Sequence, residues 1–152
     1  MKSELEFVFE LEGNLAQPII IGDTHEGVRR IIPILGGSFS GPDIRGIVIP
    51  DGAADWQYTR HDKVTVAEAT YALRTDDGVV IQVQNYGLRH GPDEVIKRLA
   101  AGEEVNPEEY YFRANPRFKA PAGRYDWLNR SIFICSGARY SAAIRLWFYR
   151  VV

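Results

Sequence analysis

The chain has 152 residues, a length that fits one domain burying roughly two thirds of its unfolded surface. Its 18 basic and 20 acidic side chains nearly cancel, so the charge excess that draws proteins to phosphate backbones is missing and nucleic acid is not an expected partner. The 45% apolar and 25% charged fractions are those of ordinary globular proteins, no run approaches the ~20 apolar residues of a membrane span, and Met1-Lys2-Ser3-Glu4 opens no signal-peptide segment, so a cytoplasmic location away from membranes is expected.

Leu5 to Leu11 alternates apolar and mostly polar positions, the period-two pattern of a strand with one buried face. Pro18 to Ile21 and Val28 to Ile34 flank a turn-rich stretch, Gly22 to Gly27, and read as a hairpin. Gly36-Gly37-Ser38-Phe39-Ser40-Gly41-Pro42 lacks the Gly-Lys-Ser/Thr ending of a phosphate loop. It reads instead as a strand with glycine bulges, common where a sheet curls into a barrel. Val64 to Thr75 and Val79 to Tyr86 are the clearest strands, joined through Asp76-Asp77-Gly78, where Asp-Gly favours a two-residue type I′ turn.

Pro92 to Ala101 is the one helical segment: Pro suits a first position, Asp93 and Glu94 the positive N-terminus, and Gly102 stops it. Tyr110 to Arg113, Arg130 to Ser136 and Ala142 to Val151 read as late strands. Cys135, the only cysteine, allows no internal disulfide and reads as a small core residue beside Phe133. About ten short strands with one helix predict an all-β domain, a sandwich or, because closure removes exposed edges, a single antiparallel barrel over 1–152.

With a type I′ turn at Asp77-Gly78, Arg74 faces Ile81, Thr70 faces Asn85 and Glu68 faces Gly87. Glu68, Thr70, Arg74 and Asn85 then share a face with Val66, Ile81 and Val83, whereas Tyr71, Leu73, Gln82 and Gln84 share the other. That mixture suits a barrel lumen holding a small molecule, and equally a solvated outer face; a slip of one residue exchanges the two. Asp55-Trp56-Gln57 and Tyr125-Asp126-Trp127-Leu128-Asn129 set carboxyl groups beside indoles, where a general acid can stay protonated or where a tryptophan simply closes a barrel end. His25, His61 and His90 have no metal-ligand spacing, and no metal or cofactor is expected. Arg89-His90-Gly91 precedes the helix, where an anion can bind.

Taken together, Gly36 to Pro42, Gly52 through Gln57, Tyr71 to Gly78, Asn85-Tyr86-Gly87, Tyr111-Phe112-Arg113, Pro116-Arg117-Phe118 and Tyr125 to Asn129 resemble the DUF3237 family, also called UPF0311, across nearly the whole chain. The resemblance implies a barrel of the calycin or allene-oxide-cyclase kind, often oligomeric, with a lumen for a small organic ligand, and no particular reaction. Members usually carry an acid after the phenylalanine matching Phe118; Lys119 stands there.

The resulting expectation is a small-molecule-binding barrel, as a cofactor-free isomerase, cyclase or dehydratase, or as a carrier or sensor without turnover. Asp55, Glu68 and Asp126 are the candidate acids or bases. Arg74, Asn85 and Arg113 are candidates to orient an anionic oxygen, with Tyr71, Trp56 and Trp127 lining or closing the pocket. An assembly module that pairs copies of the chain through Tyr140, Trp147 and Tyr149 is the third reading, and a homo-oligomer is expected.

Overall fold

Period-two alternation is realised in nine strands, and the computed structural model describes residues 1–152. They are β1 (Leu5–Leu15), β2 (Ile19–Thr24), β3 (Gly27–Ser40), β4 (Arg45–Thr59), β5 (Thr65–Thr75), β6 (Val80–His90), β7 (Tyr111–Lys119), β8 (Phe133–Arg139) and β9 (Ala143–Val151), with one helix, α1 (Asp93–Ala100). All pairs are antiparallel, and the order β1-β9-β8-β7-β6-β5-β4-β3 closes on itself through a β1–β3 pairing, so eight strands form a barrel. β2 is a flap on the far half of β3, joined to it by a hairpin whose two-residue turn is His25-Glu26.

Closure bends the long strands at bulges. Gly37, opposite Gly13 where β1 crosses β3, has φ +154°, and a Cβ there would lie 1.9 Å from the Glu12 carbonyl oxygen. Only glycine lets the two backbones approach this closely. The register of β1 on β9 shifts between Phe7 and Phe9, which turns Phe7 outward and leaves Phe9 fully buried. β4 is the strand that pattern reading passes over. Pro50-Asp51-Gly52 looks like a break, whereas the chain carries it as a bulge between Ile49 and Ala54 and continues to Thr59.

The β5–β6 hairpin corrects the expected register. Thr75 and Val79 close a three-residue loop: the Gly78 N–H donates to the Thr75 carbonyl, the Thr75 N–H to the Val79 carbonyl, and Gly78 has φ +88°. A type I turn ending in a left-handed glycine has replaced the two-residue turn. The reason is local. The Thr75 hydroxyl donates to Asp77 Oδ1 at 2.6 Å and accepts from the Val79 N–H at 2.9 Å, which ties three residues into the loop. Arg74 therefore pairs with Val80, Leu73 with Ile81, Tyr71 with Val83 and Ala69 with Asn85.

This one-residue slip leaves Ile81, Val83 and Asn85 facing inward and reverses β5. Tyr71 and Leu73 point into the barrel, while Glu68, Thr70 and Arg74 face solvent.

Packing differs between the two ends of the barrel. Around the 76–78 loop the interior is filled by rings: Phe9 stacks on Phe148 at 4.3 Å between centroids, meets Phe39 at 5.2 Å, and Phe118 meets Phe133 edge-on at 4.9 Å. The Asp126–Arg130 turn covers this end with Leu128, and the Tyr125 hydroxyl donates to Asp77 Oδ1 at 2.7 Å. Trp127 is half-buried against Phe133 and stacked under Arg150. No helix is long and apolar enough to cross a membrane.

Candidate functional site

Towards the other end the inward positions shrink and then turn polar. Along β6 the inward series is Ile81, Val83, Asn85, Gly87, Arg89; along β5 it is Leu73, Tyr71, Ala69, Ala67, Thr65; along β8 it is Phe133, Cys135, Gly137, Arg139. Gly13, Ala67, Ala69, Gly87 and Ala114 leave a cavity of about 50 Å³, floored by apolar side chains and reached by Asp55, Tyr71, Asn85 and Arg139. Ile32, Gln57 and Arg139 also line a mouth of about 810 Å³ that opens between the barrel rim and α1. The Lys63–Asp93 ion pair, at 2.9 Å, ties the β4–β5 turn to the start of that helix.

Asp55 is the buried carboxyl of this half, 8% exposed. Its Oδ2 accepts from Gln57 Nε2 at 2.6 Å and its Oδ1 from the Glu68 backbone N–H at 2.9 Å. Arg30 fixes the orientation of Gln57, donating from Nε to Gln57 Oε1 at 3.2 Å and from Nη1 to Thr59 Oγ1 at 3.2 Å. Burial raises the Asp55 carboxyl above the usual carboxylate range, against the pull of these donors and of the Arg89 and Arg30 charges.

Three arginines crown the carboxyl, and each lies at the mouth end of the inward series of its strand: Arg30 on β3, Arg89 on β6, Arg139 on β8. Arg139 donates to the carbonyls of Tyr140 and Ala143, at 2.7 and 3.3 Å. Arg89 lies over the Phe112 ring, and its Nη1 is shut off from solvent with no hydrogen-bond partner. Burial and the neighbouring Arg139 and Arg30 lower its guanidinium to about 10. Three cations against one carboxyl leave a positive excess in a sheltered place, the electrostatic form of an anion site.

Deeper in, the Tyr71 hydroxyl and Asn85 Oδ1 are likewise buried without a partner. Burial, with Cys135 and Asp55 nearby, holds the Tyr71 phenol well above its ordinary value against a weaker opposing pull from the Asn85 amide, so it stays a donor. Cys135 is sealed in the wall, where burial pushes its thiol up to about 12 and keeps it protonated.

A barrel with this interior can be compared with known proteins. The family model described as "Protein of unknown function (DUF3237)" matches residues 3–151. The chain belongs to the DUF3237 family. Members of similar sequence include UPF0311 proteins of Rhodopseudomonas palustris, 44% identical over 138 residues (91% of this chain, 90% of the relative), and of Clostridium acetobutylicum, 40% identical over 147 residues (96% and 92%). Among solved structures, a conserved protein of unknown function from R. palustris superposes with a TM-score of 0.96 at 39% identity, covering 100% of this chain and 99% of that one. A β-barrel-like protein from Acinetobacter baumannii gives 0.87 at 34% identity, covering 100% and 98%. An enzyme from Penicillium herquei shares the fold, with a TM-score of 0.74 at 19% identity, covering 100% and 96%.

Within this DUF3237 barrel, Asp55, Tyr71 and Asn85 are brought together in the lumen. Glu68 and Arg74 are on the outer surface, and Glu68 meets the site only through its backbone N–H. Arg113 is outside over the Tyr111 ring, and Trp56, 44% exposed, is outside too. Asp126 pairs with Arg130, and Trp127 packs at the ring-filled end, where Lys119 is also exposed. Tyr140 lines the mouth, whereas Trp147 and Tyr149 are half-buried under Arg145 and Phe7. Gln57, Arg30 and Arg139 escaped the sequence reading. Their signal is parity: each occupies the inward set of an otherwise apolar alternation, where a charged or amide group needs a reason.

Proposed function

We propose that the hollow half of the barrel binds a small organic anion and catalyses a cofactor-free proton transfer on it, of the kind that drives isomerisation, cyclisation or dehydration. The observation that supports this reading is Asp55, kept towards its acid form by burial, beneath three arginines of which Arg89 keeps an unpartnered N–H. Arg89 and Arg139 hold the anionic oxygen and offset charge that builds on it as a proton leaves carbon or reaches a leaving group. Asp55 gives or takes that proton, since a carboxyl raised towards neutrality is a better-matched acid and base than one in water. Gln57, anchored by Arg30, keeps the Asp55 carboxyl turned towards the cavity.

The experiment is proton exchange in D2O. Enolisable 2-oxo acids and β-keto acids are incubated with the protein, and loss of the C–H signal is followed by NMR. Wild type is expected to accelerate exchange and Asp55→Asn to lower that rate about 10²- to 10⁴-fold. Exchange that survives Asp55→Asn would remove the assigned acid. Saturable binding without exchange would favour the carrier or sensor reading, which the same arginines support.

A further inference from the structure

The polar groups of the lumen lie at two depths, and this separation carries information about the ligand. Resting on the anion site proposed above, we infer that the ligand is a short hydroxylated carboxylic acid, its carboxylate at the mouth arginines and its hydroxyl between Tyr71 and Asn85. The two subsites are on one wall. Asn85 and Arg89 are four residues apart on β6 and face the same way, a rise of about 13 Å between their Cα atoms. Arg139 lines both the deep cavity and the mouth, so a carboxylate held by it lies between the two levels and the ligand need not cross the whole span.

The deep subsite is built to read a hydroxyl. The Tyr71 phenol is 6% exposed and offers a proton; Asn85 Oδ1, on a residue 8% exposed, offers lone pairs; the two side chains lie close enough for the Asn85 amide to act on the phenol, yet neither atom makes a hydrogen bond of ordinary distance and angle. An unmet donor beside an unmet acceptor matches a group that both accepts and donates, and a hydroxyl does both through one atom, in less space than an amide or a protonated carboxyl needs. An ether or a ketone leaves Asn85 unsatisfied, and an alkyl chain leaves both.

The register fixes the two polar side chains around one small residue. Asp55 pairs with Ala69, and Ala69 with Asn85, so the carboxyl and the carboxamide sit in one cross-strand row on either side of an alanine methyl. A carbon held over Ala69, bearing the hydroxyl towards Tyr71 and Asn85, is flanked by Asp55. The cavity sets the length. Its ≈ 50 Å³ has room for about three to five water-sized groups, so the buried portion is a skeleton of that size, smaller than an aromatic ring.

The test is a matched series measured by isothermal titration calorimetry: butanoate against 2-, 3- and 4-hydroxybutanoate, with wild type, Tyr71→Phe and Arg89→Gln. In wild type at least one hydroxy acid is expected to bind about tenfold or more tighter than butanoate, because a site with unmet hydrogen-bonding groups rejects the analogue that lacks them. Tyr71→Phe, a near-isosteric change that keeps the core, should erase most of that ratio and leave butanoate affinity within about threefold. Arg89→Gln should weaken all four acids together.

A ratio unchanged by Tyr71→Phe overturns the hydroxyl subsite, while a parallel loss in Arg89→Gln leaves the anion site standing. A ratio near one in wild type overturns it as well. If none of the four saturates at 10 mM (about 3 kcal/mol of binding) the ligand class is wrong, and the proton-exchange experiment decides the anion site separately.

Discussion

The two halves of this barrel are made by the same eight strands and are packed by opposite rules. In the half around the 76–78 loop, Phe9, Phe39, Phe118, Phe133 and Phe148 fill the interior, and its polar groups are paired: Asp77 accepts from Thr75, Tyr125 and Arg124. In the half under α1, glycine and alanine replace the rings, and Tyr71, Asn85 and Arg89 each keep an unpartnered buried atom. One half spends its interior on stability and the other leaves its polar potential open. That is the division expected of a site, where local rules of packing and hydrogen bonding are broken and the rest of the fold compensates.

The largest expected effect comes from trading sizes between the halves. Phe148→Ala, which removes a fully buried ring stacked on Phe9, is expected to cost about 3–5 kcal/mol in urea denaturation. Ala67→Val, which fills part of the cavity, is expected to change stability by no more than about 1.5 kcal/mol in either direction. Comparable losses would mean that the hollow half is as tightly committed to packing as the filled one.

Arg89→Met sharpens the contrast from the polar side. Removing a charge that lies over Phe112 with an unmet N–H is expected to raise the unfolding free energy by about 1–3 kcal/mol while abolishing anion binding. A variant that binds anions normally, or that is less stable than wild type, would make Arg89 a structural residue.

Gly78→Ala probes the filled end. A left-handed φ of +88° is expected to cost about 1–2 kcal/mol, with no change in anion affinity, because nothing stands within 4 Å of the added Cβ and the lumen lies at the other end. Altered affinity would show that the two ends are coupled.

The smallest effects are pH slopes of opposite sign in the two aspartates. Burial raises Asp55 above 3.8 in the folded state, so as pH climbs past 3.8 the unfolded chain ionises first and Asp55 erodes stability until its own raised value is passed. Hydrogen bonds from Thr75 and Tyr125 lower Asp77, so its contribution is present above 3.8 and is lost as pH falls through its depressed folded value. Denaturation of Asp55→Asn and Asp77→Asn from pH 3 to 8 should therefore show Asp55→Asn gaining on wild type as pH rises and Asp77→Asn losing ground. Parallel slopes would mean that one carboxyl has been placed in the wrong electrostatic setting.

Much of this was legible in the residues. Alternation, turn pairs and the glycine-rich 36–42 stretch pointed to a closed all-β barrel with one helix at Pro92 to Ala101, because those signals depend on a few neighbouring residues. Asn85, Tyr71 and Asp55 are named as candidates by the sequence, but Asp55 only through its indole neighbour Trp56, and Tyr71 on the face opposite Asn85. What failed was the facing of β5: Asp76-Asp77-Gly78 serves a two-residue or a three-residue loop, and only the Thr75 hydroxyl, bonded to both Asp77 and Val79, selects the longer one.

That choice moved Glu68 and Arg74 to the surface, since side chains alternate with a period of two and a single slip exchanges whole faces. The convergence of Arg30, Arg89 and Arg139 on Asp55 was decided by tertiary structure alone. They come from four different strands, β3, β6, β8 and β4, and only barrel closure and strand register bring residues so far apart in the chain to one rim. The sequence by itself determined which residue types were available and how each strand alternates; closure determined which of them meet, because nothing local encodes the distance between strands that are not neighbours.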